Sequence, residues 1–121
     1  MVKLISSPSI IESAGNKPKI IREYIGEINS NTKDISLAHM ISPKGWEEPG
    51  QRPEFHEYTL VLKGELSVQT ENERFKVKPG QSIVTDPGEW IKYDTKNSET
   101  EYISVCLPAF SIDTVHRDKD E

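Results

Sequence analysis

The fold is decided by the stretch PGQRPEFHEYTLVLKGELSV, which runs from Pro49 to Val68. Its apolar run YTLVL ends just before Gly64, and a new run, LSV, begins two residues later. A second stretch of the same kind, KPGQSIVTDPGEW, runs from Lys78 to Trp90 and holds a short apolar run between two Pro-Gly pairs. Short β-branched runs bounded by Gly and Pro are typical of strands joined by tight turns.

The rest of the chain has the same punctuation, with seven Gly and eight Pro among 121 residues. The predicted strands between these breaks are Lys19–Ile25, Ile35–Ile41, Phe55–Leu62, Leu66–Thr70, Arg74–Val77, Gln81–Thr85, Glu89–Tyr93 and Glu101–Leu107. The polar segment Thr95–Thr100 is predicted to be a hairpin. Many short strands without a long helical pattern predict an all-β sandwich or jelly-roll barrel.

Composition and charge exclude several classes of protein. The net charge of −5 opposes binding to nucleic acid or to an anionic membrane surface, because both need a cationic footprint. No apolar run approaches the roughly 20 residues of a membrane span. A single Cys excludes an internal disulfide, and the N-terminus MVKLISSPSII is a poor secretory signal. These features predict a cytoplasmic protein that binds neither nucleic acid nor membrane.

The two stretches resemble the motifs of the cupin superfamily, whose members are small jelly-roll β-barrels. Glu57 and Gly64 have the six-residue gap of the first cupin motif, and Gly80 and Gly88 have the offsets of the second. The string PEFHEYTLVLKGEL also resembles the Q-type cupins of ethanolamine utilisation. The resemblance covers about residues 35–107 and implies one cupin domain over 1–121. N-terminal strands would then lie in 1–34 and a C-terminal segment in 108–121.

The resemblance bears directly on metal binding, since metal-binding cupins use three His and one Glu. The positions where those His would fall hold other residue types: Gln51 and Pro53 (or, with a longer gap, Gly50 and Arg52) in the first motif, and Ile91 in the second. Of the four ligands, Glu57 alone is present. Because a divalent transition metal needs three or four close ligands, we expect no cofactor. A metal remains an alternative if a displaced site combines Glu57 with His39.

Strand alternation places Phe55, Glu57 and Thr59 on one face, which the resemblance makes the interior of the barrel. The resemblance also puts Ile91 inside, and alternation then puts Tyr93 there too. Glu57 and Tyr93 are the catalytic candidates, although Glu57 could equally be a structural carboxylate. The candidate ligand-binding residues are Gln51, Trp46, Phe55, Thr59, Ile91 and His39.

Three functions remain open. The first is a metal-free module that binds a small polar metabolite. The second is a metal-free enzyme in which Glu57 and Tyr93 are an acid/base pair, of an epimerase- or lyase-like kind or related to ethanolamine and acetate metabolism. The third is the metallo-cupin with a displaced site.

The outward face of the same strand predicts a partner subunit. His56, Tyr58 and Leu60 alternate with the inward residues, and Trp90 is also expected to point outward. Exposed aromatic and Leu side chains on a small barrel are typical of an interface. We therefore expect a homodimer.

Overall fold

The computed structural model describes residues 1–119, so the last two residues of the predicted C-terminal segment lie outside the described part. The regular elements are β1 (Ser9–Ile11), β2 (Ile20–Ile25), β3 (Ser36–Ser42), β4 (Trp46–Glu47), β5 (His56–Lys63), β6 (Leu66–Gln69), β7 (Arg74–Val77), β8 (Ser82–Thr85), β9 (Lys92–Thr95), β10 (Thr100–Leu107) and α1 (Ile112–Val115). One sheet has the order β1-β2-β3-β10-β5-β8 and the other β4-β9-β6-β7, with every pairing antiparallel. The predicted all-β jelly-roll architecture is confirmed.

Seven of the eight predicted strands agree with the structure to within one residue at each end. The turn between β5 and β6 shows why the first stretch is decisive. Gly64 has φ +80°, a left-handed conformation, and a Cβ there would collide with the carbonyl oxygen of Glu99. Only glycine meets both conditions without strain.

Two predictions near the second stretch were wrong. The strand predicted over Glu89–Tyr93 is β9, which begins only at Lys92 because the chain first turns at Gly88. The predicted hairpin Thr95–Thr100 is a crossing between sheets, since β9 pairs with β4 and β6 whereas β10 pairs with β3 and β5. Its end residues are polar but buried, and both hydroxyls donate to backbone carbonyl oxygens: Thr95 to Pro43 at 2.8 Å and Thr100 to Glu65 at 3.0 Å.

Two strands, β1 and β4, were not predicted. Each has three residues or fewer, too short for a period of two to be visible. Their places come from pairing with a longer neighbour, β1 with β2 and β4 with β9. Strand β1 brings Ile11 to the barrel interior, and β4 brings the fully buried Trp46.

The main core lies between the two sheets. Its buried members are Trp46, Val61, Leu66, Val68, Val77, Ile91, Tyr93 and Tyr102. A smaller cluster of Phe55, Cys106 and Val115, with Phe110 against it, joins the C-terminal segment to the barrel. Helix α1 has only one turn, and the Ser111 hydroxyl caps it by accepting from the Asp113 amide at 3.1 Å. None of the helices in residues 1–119 is long and apolar enough to cross a membrane.

The six-stranded sheet has an unusual distribution of polarity. On β5 and β10 the inward residues include Glu57, Thr59 and Ser104, which are buried. We call the opposite side the outer face, and it carries Leu37, Ile41, Tyr58, Leu60, Leu62, Ile103, Val105 and Leu107. The pairings Ile103 with Leu60 and Val105 with Tyr58 make these side chains neighbours across the strands. Several polar groups of this sheet therefore point into the barrel, beside core residues such as Val61 and Tyr102, and several apolar groups point out of it.

Candidate functional site

A cavity of about 80 Å³ opens inside the barrel against the inner side of the six-stranded sheet. Its polar wall includes Lys19, Glu48, Glu57 and Tyr93, which come from four separate parts of the chain. Strands β2, β5 and β9 and the residue that follows β4 thus meet at one place. This volume exceeds the roughly 30 Å³ share of one liquid water, so the cavity has room for a small molecule.

Glu57 projects into this cavity from β5 and is only 6% exposed. Among residues 1–119 no backbone group donates to its carboxyl oxygens, and no ion pair within 4 Å includes them. Burial raises the pKa of Glu57, while a hydrogen-bonding interaction with Tyr93 and the charge of Lys19 act in the opposite direction. The Tyr93 hydroxyl is shared, because it also bonds at 3.0 Å to Thr59 Oγ1. A carboxyl group has about four acceptor sites, so Glu57 keeps hydrogen-bonding capacity beyond its interaction with Tyr93.

Glu48 is a second buried carboxyl group, 9% exposed, and was not among the predicted site residues. It follows β4, and its Oε2 accepts a hydrogen bond from the Tyr93 amide at 3.3 Å. Burial raises the pKa of Glu48 to about 7; the charge of Lys19 opposes this rise and the charge of Glu57 adds to it. One signal could have found it: alternation puts Glu48 on the same side as Trp46, opposite Glu47.

Tyr93 lies at the head of a short chain of hydroxyl groups. Its hydroxyl bonds to Thr59 Oγ1 at 3.0 Å, and Thr59 Oγ1 bonds to Ser104 Oγ at 3.1 Å. Burial and then the charge of Glu57 raise the pKa of Tyr93 well above its usual value. The group is therefore a phenol at neutral pH, able to donate a hydrogen bond or a proton but not to act as a base.

Lys19 is the nearby cation, and sequence reasoning gave no reason to choose it. Its Nζ lies 2.8 Å from the Tyr102 hydroxyl and 4.1 Å from the centroid of the Trp46 ring. Tyr102 in turn bonds to Ser42 Oγ at 3.2 Å. Lys19 is thus held by aromatic groups, and no ion pair within 4 Å joins it to either cavity carboxylate in the described part of the chain.

Comparison with known proteins decides the family. The model of the cupin domain family matches residues 38–106. The chain belongs to this family. It is 18% identical to ethanolamine utilization protein Q from Salmonella typhimurium, with a TM-score of 0.67 and coverage of 85% of this chain and 97% of that one. It is 17% identical to the polyketide cyclase RemF from Streptomyces resistomycificus, with a TM-score of 0.76 and coverage of 100% and 88%. At these identities the likeness shows the fold alone.

A curated relative is closer in sequence but much longer. Over 99 residues the chain is 37% identical to the endoribonuclease YbeY of Myxococcus xanthus. The match covers 81% of this cupin but only 34% of that protein. The chain thus spans about a third of the length of the curated relative it matches.

The cavity brings together three of the predicted site residues: Glu57, Tyr93 and Gln51. Gln51 also exchanges two backbone hydrogen bonds of 2.9 Å with Ile91. One His position of the first cupin motif, Gln51, therefore lies beside the His position of the second motif, Ile91. Thr59 lies behind the wall, bonded to Tyr93. The Trp46 indole is fully buried and donates to the Ala14 carbonyl at 3.1 Å, so it supports Lys19 from behind.

Ile91 and Phe55, which we also expected to contact ligand, belong to the apolar clusters. Ile91 is fully buried in the main core. Phe55 packs edge-on against Phe110 with ring centroids 5.9 Å apart, in the cluster that holds the C-terminal segment. Neither side chain lines the cavity; both hold the backbone that does.

His39 lies on the outer face, away from the cavity. Its neighbours Ala38 and Met40 line the cavity, so alternation along β3 turns His39 outward. Its Nε2 is 3.2 Å from Glu101 Oε2 and its Nδ1 is 3.3 Å from an Arg22 guanidinium nitrogen. The displaced metal site of Glu57 and His39 therefore does not come together. Residues 1–119 contain no group of three or more His, Cys, Asp or Glu placed to hold a metal ion.

The C-terminal segment closes one side of the cavity. Arg117 contributes to the lining, and the Asp118 amide donates to the Gly50 carbonyl at 2.7 Å. The Trp90 indole donates to Asp118 Oδ2 at 3.0 Å and lies over Gly50. Trp90 therefore fastens this segment and does not belong to the face of Tyr58 and Leu60, so its expected place beside them was wrong.

Proposed function

We propose that this cupin binds a small polar molecule in the barrel cavity without a metal ion. The observation that carries the proposal is Glu57, a carboxyl group 6% exposed that lines the cavity with Tyr93 as its hydrogen-bonding side chain and with no ion-pair partner within 4 Å among residues 1–119. A carboxyl group can accept about four hydrogen bonds, and leaving a buried polar group incompletely satisfied costs free energy. A ligand that donates to Glu57 recovers part of this free energy, which favours occupation of the cavity.

The metal-free part of the proposal rests on the donor set. Of the four cupin ligand positions, Glu57 alone carries a ligating side chain. His39, the one His that a displaced site could have used, is bonded to Glu101 on the outer face. Glu48 adds a second carboxyl group to the cavity, but two carboxylates are fewer than the three or four ligands that a transition metal needs. Each of them is a good acceptor for a ligand hydroxyl or amine.

A small-molecule screen tests the proposal. Protein purified without chelator is analysed for metals and is then titrated with a library of small polar metabolites, with amide NMR shifts of Glu48 and Tyr93 as the readout. We expect a hit whose affinity falls at least tenfold in Glu57→Gln and stays unchanged in Glu73→Gln, where the exposed Glu lies in the β6–β7 turn. Stoichiometric Mn, Fe, Ni or Zn, or a hit that is insensitive to Glu57→Gln, would refute the proposal.

The second candidate is a metal-free enzyme, and the pKa of about 7 at Glu48 favours it. A group with a pKa near the working pH is suited to accept and return a proton, and the Tyr93 phenol beside it can donate one. In this form Glu48 is the base and Tyr93 the acid, whereas the sequence predicted Glu57 and Tyr93 as the acid/base pair. Deuterium exchange into a carbon-bound position of the ligand would demonstrate proton transfer, whereas a binding module leaves that position unlabelled.

The activities in the names of the similar proteins give only hypotheses about the function of this chain. A link to ethanolamine or acetate metabolism stays a prediction from resemblance. For the endoribonuclease we propose that the matching third of that protein is a ligand-binding unit and not the part that cleaves RNA. The acidic net charge and the buried carboxyl groups of the cavity both oppose phosphate binding.

We also propose that two copies pair through the outer face. Six strands at about 4.8 Å spacing and up to about 26 Å long give an area on the order of 600 Å², close to the roughly 800 Å² per partner of a stable interface. Its polar groups Arg22, His39 and Glu101 already bond to one another, so little desolvation cost remains. We further propose a cytoplasmic location, in keeping with the free, buried thiol of Cys106.

A further inference from the structure

The cavity holds more acidic than basic groups, and they differ in how they are satisfied. The Glu23 carboxylate accepts hydrogen bonds from the backbone amides of Ile28 at 3.1 Å and Asn29 at 2.9 Å, so the loop after β2 satisfies it. Glu48 accepts one backbone hydrogen bond and Glu57 none. Glu48 and Glu57 therefore keep acceptor sites that a ligand in the cavity can use.

The basic groups of the cavity act on this pair through their charge but form no ion pair with it: the charge of Lys19 opposes the rise in pKa of both carboxyl groups, and that of Arg117 opposes the rise at Glu48. Lys19 Nζ is held by Tyr102 and Trp46, and the Arg117 guanidinium carbon lies 5.7 Å from the centroid of the Phe110 ring. Among the described residues, no ion pair within 4 Å includes Glu48 or Glu57. Two buried carboxyl groups without an ion-pair partner within 4 Å form, once ionised, a site that attracts a cation in a medium of low dielectric constant.

We propose that the cavity binds a small primary amine in its ammonium form, with the ammonium between Glu48 and Glu57 and a short alkyl part against Ile21, Ala38 and Met40. The inference rests on the proposed function and names its ligand class. An ammonium has three donors and one positive charge, which suits two acidic acceptors, while the volume of about 80 Å³ limits the alkyl part to a short one.

Proton release should accompany binding. The pKa of Glu48 is about 7, so Glu48 holds a proton in a large share of the free protein at neutral pH, and a bound cation displaces this proton. Burial also raises the pKa of Glu57. The other titratable groups that line the cavity are Glu12, Lys19, Glu23, Tyr93, Tyr102, Cys106 and Arg117. Lys19 and Arg117 are cations, and the pKa values of the Tyr93 and Cys106 groups are raised by burial. Neither of these two groups ionises between pH 6 and pH 8.

A charge-matched titration tests this inference. Ethylammonium chloride, ethanol and sodium acetate, which are similar in size, are titrated at constant ionic strength against the wild type, Glu57→Gln, Glu48→Gln and Glu73→Gln, and followed by NMR shifts. We expect ethylammonium alone to bind, with a dissociation constant on the order of 1 mM for three heavy atoms. Each cavity variant should weaken binding at least tenfold. The affinity of the wild type should rise about eightfold from pH 6 to pH 7.5, since that is the gain in ionised fraction for a pKa near 7.

Three results would overturn the inference. Acetate or ethanol binding in the cavity as tightly as ethylammonium would show that the ligand class is wrong, although small-molecule binding would stand. No ethylammonium shift up to 50-fold above the expected constant, or a wild-type affinity independent of pH, would also reject it. Because the pH series uses the wild type, the test holds even where a variant does not fold. Failure of the proposed function would appear elsewhere, as bound metal or no hit in the metabolite screen.

Discussion

The two sides of the six-stranded sheet are built from the same strands and have opposite chemistry. On β5 and β10 the inner side carries the buried polar residues Glu57, Thr59 and Ser104 beside apolar core residues, whereas the outer face presents Tyr58, Leu60 and Val105. A small barrel usually keeps its apolar residues inside. The polar part of the inner side lies at the cavity in which we propose that a ligand binds, and the apolar outer face is the surface through which we propose that two copies pair.

The largest expected difference in stability between the two sides is at Tyr102 and Ile103, which are adjacent residues on opposite sides of β10. Tyr102 is fully buried, and Tyr102→Ala should lower the free energy of unfolding by about 3–5 kcal/mol. Ile103→Ala should cost roughly 2 kcal/mol or less, because its side chain is partly exposed. Urea denaturation of the two variants at pH 7 measures both values. Equal losses would mean that the outer face is packed as tightly as the interior in the isolated chain.

Glu48 and Glu47 are neighbours in the sequence whose pKa values are shifted in opposite directions, so they compare a buried carboxyl group with a partly exposed one. Burial raises the pKa of Glu48 from 4.5 to about 7. Between those values the unfolded chain ionises while the folded chain keeps the proton, so folding stability falls as pH rises and the loss is complete above about pH 7. It amounts to about 3 kcal/mol. Glu48→Gln should therefore gain about that much stability relative to the wild type between pH 4.5 and pH 8.

Glu47→Gln is the matched control for that prediction. A hydrogen bond from Lys92 is the main cause that lowers the pKa of Glu47, so its contribution is present above the unfolded pKa and is lost as pH falls. This variant should be less stable at neutral pH by under about 1 kcal/mol, given its exposure. Denaturation curves from pH 4 to pH 8 check both residues. A Glu48→Gln difference that does not grow with pH would contradict the buried-carboxyl account.

A substitution on the outer face can disrupt the proposed dimer interface without changing a residue of the cavity. Leu60 is 40% exposed, and Leu60→Glu would place a charge within the proposed interface. We expect the dimer dissociation constant to rise at least tenfold, about 1.4 kcal/mol. Phe75→Glu is the control, since Phe75 is 41% exposed on the four-stranded sheet. Analytical ultracentrifugation reads out both, and a monomeric wild type or an equal response of the two variants would remove the case for this interface.

The smallest expected effect concerns the hydroxyl chain behind the cavity. Tyr93→Phe removes the 3.0 Å hydrogen bond with Thr59, while Thr59 keeps its bond to Ser104. The free energy of unfolding should fall by about 0.5–1.5 kcal/mol. Chemical denaturation measures this loss, and Tyr102→Phe is the comparison on the Lys19 side. A loss above about 3 kcal/mol would show that Tyr93 has a larger structural role than one hydrogen bond.

Sequence reasoning found the barrel and part of its site for physical reasons. Turn residues such as Gly64 mark strand ends, and a period of two puts Glu57 and Tyr93 inside. The same period cannot place His39, because in SLAHMIS both alternate sets contain apolar and polar residues. Its face depends on which side of β3 meets the interior, and that is decided by the pairing with β10.

Lys19 and Glu48 show what local patterns miss. Lys19 reaches the cavity because β2 pairs with β3, a contact between segments whose spacing carries no signal. Glu48 follows a two-residue strand that pairs with β9, and beside Glu47 it resembles an ordinary solvated charge. Alternation with Trp46 indicates only the side on which Glu48 lies. Its burial and its raised pKa are properties of the assembled barrel, so its pairing with Glu57 in one cavity could be recognised only from the structure.

The most direct test of the central claim is ligand affinity before and after exhaustive treatment with EDTA. The ligand is the best hit of the metabolite screen, with ethylammonium as the first candidate, and the wild type is measured beside Glu57→Gln. The account predicts the same affinity with and without EDTA, and at least a tenfold loss in Glu57→Gln. Loss of binding in EDTA that added Mn, Fe, Ni or Zn restores would contradict it.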